Sequence, residues 1–442
     1  MEPPTEAEGE YPNDWFGLQR AFPVGRVNQE AYQQSLEWMR AERATGFSTT
    51  QSSLTWSEAG PFNTGGRVTA LAIAPGGTTL YAGAAAGGVF KSTDSGVNWS
   101  SSFDQVLSIG ALALDPTNAL VVYVGTGEAN AATDNYDGAG VFRTGDGGQS
   151  WAYLGLQETR RIARVAVDPA APSRLFVAAM GAQFTTGPDR GLYRSEDSGQ
   201  HWSKVLYVND STGVCDVVIN PAHPETVYCA SWERIRRPTY RRTYGPGCGI
   251  WRSVDHGTTW TRLQNGLPAA SDHVGRIGLG LARTRPSTIY AQIVGGIAES
   301  HNGLGFYRSV DGGVTWARRD TPSGFTGSFG GFGWYFGDMT VDPNNPDEVY
   351  CCAQSFIRST DGGVNFTALT GNAHVDFHAI WVDPLAPAHL YAGTDGGFWA
   401  TSAGGANWTT TSNLPITQFY AGAIDASNPA RLLGERRTTG PT

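Results

Sequence analysis

Chemistry-bearing side chains gather first at residues 374–378, His-Val-Asp-Phe-His. On an extended strand alternate residues point the same way, so His374, Asp376 and His378 share one side. Asp395 follows in the next loop of the same repeat, within Thr394-Asp395-Gly396-Gly397. Two imidazoles and a carboxylate are a ligand set for a divalent metal. Asp376 and Asp395 could instead divide the acid and base roles of glycoside hydrolysis. In a third arrangement, the histidines and aspartates form a polar cluster that satisfies itself through hydrogen bonds. Only the first needs a cofactor.

A second constellation lies between 233 and 242, where five arginines accompany one glutamate. Guanidinium forks interleaved with aromatics suit carboxylate, sulfate or phosphate groups and the stacking of sugar rings. This makes Trp232, Arg234, Arg236, Arg237 and Tyr240 candidate ligand contacts, and it makes the ligand anionic. The bland alternative is a solvated loop paired with acidic neighbours. Glu128 with Asp134-Asn135-Tyr136-Asp137, and Trp334-Tyr335 with Asp338, set carboxylates beside aromatics, as a saccharide cleft requires. Tyr136, Asp137, Trp334 and Tyr335 therefore join the candidate contacts.

The elements that must position these residues are short and turn-rich. Fifty-eight glycines, 14 tryptophans and 16% charged residues describe an all-β chain, because tight reversals need residues free to take positive φ. A net charge of −9 and a pI near 5.4 argue against a nucleic-acid partner. No apolar run is long enough to span a membrane. Five cysteines are an odd number in a chain too large to need staples. Cys229, Cys351 and Cys352 stand where sister repeats have Ala or Gly and read as buried filler; Cys229 with Cys248 is the one disulfide worth testing. The first ten residues are acidic and proline-bearing, unlike a signal peptide.

One pattern, Ser/Thr-x-Asp-x-Gly-x-x-aromatic, recurs at 92–99, 144–151, 195–202, 253–260, 309–316, 359–366 and 401–408. Its aspartates are Asp94, Asp146, Asp197, Asp255, Asp311 and Asp361, and the seventh copy is degenerate, with Ala403 in that position. Successive terminal aromatics are 52, 51, 58, 56, 50 and 42 residues apart, the period of a four-stranded propeller blade. Each aspartate is expected to accept backbone N–H bonds in a hairpin turn while the aromatic packs between neighbouring sheets.

The first strand of the repeat occurs eight times, near Thr69, Ala111, Ala163, Asp216, Gly278, Met339, Ala379 and Ala423. The spacing thus predicts a β-propeller of seven complete four-stranded repeats plus a partial eighth, which either completes the ring or lies outside it. Residues 1–53 form an extension with one helix at 28–45, 54–434 the propeller and 435–442 a polar tail. Asn28 caps the helix, Gly46 follows its end, and Tyr32, Leu36 and Met39 line one face. Residues 54–58 resemble an orphan fourth strand that could join the C-terminal repeat. Antiparallel succession puts the first-to-second and third-to-fourth connections on one end of the ring. The variable connections, and with them the candidate sites, share the other.

The repeated boxes, Gly-Gly-Arg-Val at 65–68 and Gly-Gly-Val-Phe-Lys-Ser at 87–92 resemble the Asp-box (BNR) repeat superfamily. That group includes sortilin-type receptors, xyloglucan-cleaving enzymes of glycoside hydrolase family seventy-four and many bacterial secreted proteins. The resemblance covers about 54–425 and implies a propeller that is secreted or on the cell surface. It also marks departures. The xyloglucanases resemble two propellers facing across a cleft, and this chain has material for one. Where they have a catalytic Asp in the first blade, this chain has Ala84-Ala85-Ala86-Gly87-Gly88. The cysteine-rich region of the sortilin type and the Arg-Ile-Pro motif of sialidases are missing. The leading expectation is an extracytoplasmic recognition domain for a polysaccharide or protein ligand. A glycoside hydrolase or polysaccharide lyase comes second, and an assembly module of a larger surface protein third.

Overall fold

The computed structural model describes residues 17–45, 65–238, 240–320, 324–411, 413–428 and 431–436. Seven four-stranded antiparallel sheets follow one another in chain order, and within each the strands pair in sequence order. The innermost strands are Val68–Ile73, Ile109–Asp115, Ile162–Val167, Thr212–Ile219, Val274–Leu281, Met339–Val341 and Phe377–Val382. Each packs against the innermost strand of the next blade, and the seventh packs against the first, so the seven sheets close a ring around one axis.

The closing seam is apolar and tightly packed. Leu414 and Ile416, which follow the last strand of blade seven, are buried in one apolar cluster with Val68, Leu80 and Phe90 of blade one. The Trp99 ring of blade one meets Phe398 of blade seven edge-on at 5.0 Å. At Gly66 a Cβ would sit 1.8 Å from the Ile416 carbonyl oxygen, so only glycine admits this approach. The seven blades close without the partial eighth repeat: among the described residues Phe419–Ile424 pairs with Leu432–Arg436 as a two-stranded sheet. Gly46 and the expected orphan strand at 54–58 lie outside the described residues.

The repeated turns have the expected chemistry. In all six complete boxes the aspartate accepts the backbone N–H four residues on, at 2.8 to 3.0 Å. The glycine two residues after each aspartate has φ between 80° and 92°, the region that other residues avoid. The aromatic tucks between sheets, and Trp151 Nε1 donates to the Ser102 carbonyl of the preceding blade at 2.8 Å. Blade seven keeps the turn, with Gly405 at φ 92°, but Ala403 has no side-chain acceptor. Ala403→Asp should therefore gain the Asn407 N–H and raise the melting temperature by roughly 1–2 °C in calorimetry. An unchanged or lower value would show that the other six carboxylates contribute little.

The helix spans Gln29–Thr45, capped as expected by Asn28 Oδ1, which accepts the Ala31 N–H at 3.1 Å. Leu36 is buried, and Tyr32 and Met39 are half-buried, against the cluster between blades one and two. All five cysteines are free and buried. The Cys229–Cys248 disulfide does not form, because the two residues belong to different interfaces: Cys229 lies in the core between blades three and four, and Cys248 in the cluster that runs through blades four to six.

Candidate functional site

Arg67 immediately precedes the innermost strand of blade one and is 1% exposed. Its Nη2 and Nε donate to Glu128 Oε2 at 2.8 and 3.2 Å. Asp134 lies at 3.8 Å and Asp395 at 3.9 Å, and the guanidinium stands 5.5 Å from the Tyr335 ring centroid. Blades one, two and seven thus meet at one cation. Burial alone would lower the Arg67 pKa, but Glu128, Tyr335, Asp134 and Asp395 outweigh it and hold the charge. Three carboxylates around one guanidinium cannot all be neutralised. Burial, with Glu128 and Asp395 nearby, accordingly pushes Asp134 up to about 6 even though Arg67 pulls the other way.

The 374–378 constellation forms only in part. The strand starts at Phe377, and Asp376 takes φ +66°, a left-handed turn that breaks the expected alternation. His378 Nε2 meets Asp395 Oδ1 at 2.7 Å, whereas His374 turns its Nδ1 to the Val375 carbonyl at 2.6 Å. His374, Asp376 and His378 therefore do not form the expected metal triad. Among the described residues no group of three or more His, Cys, Asp or Glu is arranged to hold a metal. What remains is a pair of aspartates with divided ionisation. Burial and then Asp395 push Asp376 up to about 6, while Arg67 and the His378 hydrogen bond overcome burial to hold Asp395 below the usual carboxylate range. The ring of Tyr335 meets His378 edge-on at 4.7 Å.

The arginine-rich connection of blade four is a hairpin, Ile235–Arg237 against Tyr240–Arg242, folded inward over the mouth. The expected open contacts Trp232, Arg234 and Arg236 are buried instead, as are Asp137, Trp334 and Tyr335. The reason is hydrogen-bond satisfaction. Irregular connections leave carbonyls that need donors, and guanidinium groups supply them. Arg234 donates to the carbonyls of Ala129 and, at 3.1 Å, Asn130. Trp232 Nε1 donates to Thr243 O at 2.8 Å, and Arg161 binds Asp137 at 2.8 Å and the Glu128 carbonyl at 2.8 Å. Tyr136 is covered by Arg20, 5.1 Å from its centroid, and by Tyr32. Arg237 stays exposed and Tyr240 half-exposed, while Arg241 stacks on Trp334 at 3.8 Å.

Below the mouth, Arg164 spans the axial channel, bonded to Asp216 Oδ1 at 2.9 Å and to Asp338. Arg276 donates to Asn130 Oδ1 at 2.5 Å and to the Tyr335 carbonyl at 3.2 Å. Sequence reasoning missed Arg67, Arg161, Arg164 and Arg276. A signal was present for three of them. Arg67-Val68, Arg161-Ile162 and Arg276-Ile277 occupy the same position in blades one, three and five, just ahead of or at the start of the innermost strand.

Fold and site together define a seven-bladed propeller whose loop-rich mouth is closed by a buried arginine–carboxylate network. No family model matches the chain. Among curated proteins it is similar to a xyloglucanase of Paenibacillus sp, 26% identical over 286 residues, covering 55% of this chain and 26% of that protein. A xyloglucanase of Acetivibrio thermocellus is 26% identical over 182 residues, covering 38% and 20% respectively. Among solved structures, a Niastella koreensis GH74 enzyme superposes with TM-score 0.59 at 21% identity, over 81% of this chain and 55% of that one. A Xanthomonas campestris GH74 xyloglucanase gives 0.55 at 20%, over 78% and 53%. The chain thus spans about a quarter of the curated relatives it matches, and about half of the structures.

Proposed function

We propose that this propeller is a glycan-recognition domain of the xyloglucanase type, acting outside the cytoplasm and binding polysaccharide on its loop-rich rim without cleaving it. The observation that carries this reading is the commitment of the mouth carboxylates to internal cations. Glu128, Asp134 and Asp395 surround Arg67, Asp137 binds Arg161, and Asp216 and Asp338 bind Arg164. Where the xyloglucanase resemblance would put a catalytic aspartate, the blade-one loop has Ala84 and Ala85, both buried. Of the candidate contacts and site residues, Arg237, Tyr240, His374 and Asp376 remain exposed or half-exposed at the rim, where a saccharide could meet them. No helix among the described residues is long and apolar enough to cross a membrane.

A second reading, glycoside hydrolysis, is favoured by one observation: Asp395 is kept ionised beside an Asp376 whose pKa is near 6, the division of roles an acid–base pair needs. One experiment separates them. Xyloglucan oligosaccharides are titrated calorimetrically and the same samples assayed for new reducing ends. Binding with no new ends is the expected result. New ends that fall by about two orders of magnitude or more in Asp376→Asn would establish the hydrolase instead.

A further inference from the structure

A groove outside the axial site runs between residues 24–30 and the blade-three connection at 181–190, with a volume of about 590 Å³. Its lining includes Arg26, Gln29, Thr185, Thr186, Asp189 and Arg190. The cations on its walls differ in one respect. Arg160 is already paired, at 2.8 Å from Glu30. Arg190, 1% exposed, is held by carbonyls alone: Nη2 donates to Ala182 O at 2.7 Å and Thr185 O at 2.9 Å, and Nη1 to Arg234 O at 3.4 Å. Its Nε has no hydrogen-bond partner among the described residues. Burial, then Arg161 and Arg237, pull its pKa down to about 10, which leaves it cationic at neutral pH; only Asp210 acts in the opposite direction.

A buried guanidinium without a counter-ion is unfavourable unless an anion reaches it. The groove volume of about 590 Å³ leaves space for one, and Arg190 is part of its lining. Gly181, at φ +70°, also lines the groove and packs directly on the Arg190 side chain, since a Cβ there would lie 2.4 Å from Arg190 Cγ. The groove also receives the first turn of the Gln29–Thr45 helix, whose N-terminal N–H groups favour negative charge. Beside these, the buried Gln29 Oε1 has no hydrogen-bond donor among the described residues, and Thr185, Thr186 and Asp189 supply further groups suited to hydroxyls. A cation next to hydroxyl-binding groups fits a carboxylate attached to a polyhydroxylated ring.

We propose that this groove is a subsite for a uronic-acid residue of an acidic polysaccharide, with the carboxylate on Arg190 and ring hydroxyls on Gln29, Thr185 and Asp189. It rests on the glycan-recognition reading and adds a charged sugar to it. The test is calorimetric titration of the full chain, at low salt, with digalacturonate, its methyl ester and a neutral xyloglucan oligosaccharide. Digalacturonate should bind about ten-fold more tightly than its ester, since a charge-assisted contact to the guanidinium is lost on esterification. Arg190→Gln should remove that preference and leave the neutral ligand unaffected. Thr186→Asp, an exposed change that places a carboxylate in the groove, should do the same in a protein with an unaltered melting temperature. Equal affinity for acid and ester, with the neutral oligosaccharide still bound, would overturn the subsite and leave the recognition reading standing. Failure of all three sugars to bind would overturn both. Displacement of digalacturonate by a glutamate-rich peptide of equal affinity would overturn the assignment to a saccharide.

Discussion

Replacing Arg67 with methionine is expected to lower the unfolding free energy at pH 7.5 by about 3–5 kcal/mol, the range for removing one partner of a buried ion pair. Methionine fills much of the volume but leaves Glu128, Asp134 and Asp395 facing one another with their central cation gone. The penalty is repulsion and desolvation rather than a cavity, so it should shrink on acidification as those carboxylates take up protons. Pairing Arg67→Met with Glu128→Gln should recover part of the loss, because the two side chains act as one unit. Urea unfolding measures each variant. A loss below about 1 kcal/mol at pH 7.5, or a loss that does not diminish by pH 5, would mean that the network does not hold blades one, two and seven together.

The second large effect concerns pH. Asp134 has a folded pKa of about 6 against 3.8 when exposed, so between those values the native state binds more protons than the unfolded chain. Stability then falls as pH rises, by about 3 kcal/mol for a shift of roughly two units. Asp376, also raised to about 6, acts in the same direction. The turn aspartates act in the opposite one. Asp311 and Asp361 are held down to about 2 by hydrogen bonds from Thr315 and Asn365 that outweigh their partial burial, so their stabilisation is present above pH 4 and lost as pH falls toward 2. The melting temperature should therefore peak near pH 4, decline between about pH 4 and 6 and level off above about pH 7. Asp134→Asn should flatten that decline. A wild-type melting temperature that climbs steadily from pH 5 to 7.5 would refute the assignment.

Different kinds of information decided different parts of this molecule. The blades were legible in the sequence because each is a local object: the turn at 92–99 closes through bonds that the Asp94 carboxylate accepts from residues no more than four positions away, and the same arrangement recurs in the other complete boxes. Such short-range geometry leaves a strict residue pattern at a constant period. The helix cap at Asn28 was readable for the same reason. The shared rim of the variable connections followed from strand antiparallelism alone.

The site was less legible, because its contacts cross the ring. Arg67 and Glu128 are 61 residues apart, and Arg164 and Asp338 are 174 apart. No local spacing records such pairs. The period-2 reading grouped His374, Asp376 and His378 because it assumed an extended strand, and one left-handed residue at 376 undid it. The same limit applied to Arg234 and Arg236, which composition read as solvent-facing and which the closed mouth buries. By itself, then, the sequence determined the number of complete four-stranded repeats, their strand order and the end of the ring on which chemistry gathers, since these depend on hydrogen bonds within a single hairpin. Only the tertiary structure decided that the ring closes at seven, which carboxylate answers which guanidinium, and that Arg190 faces a groove without a counter-ion. Those outcomes depend on distances between blades far apart in the chain, where packing rather than local propensity determines the neighbour.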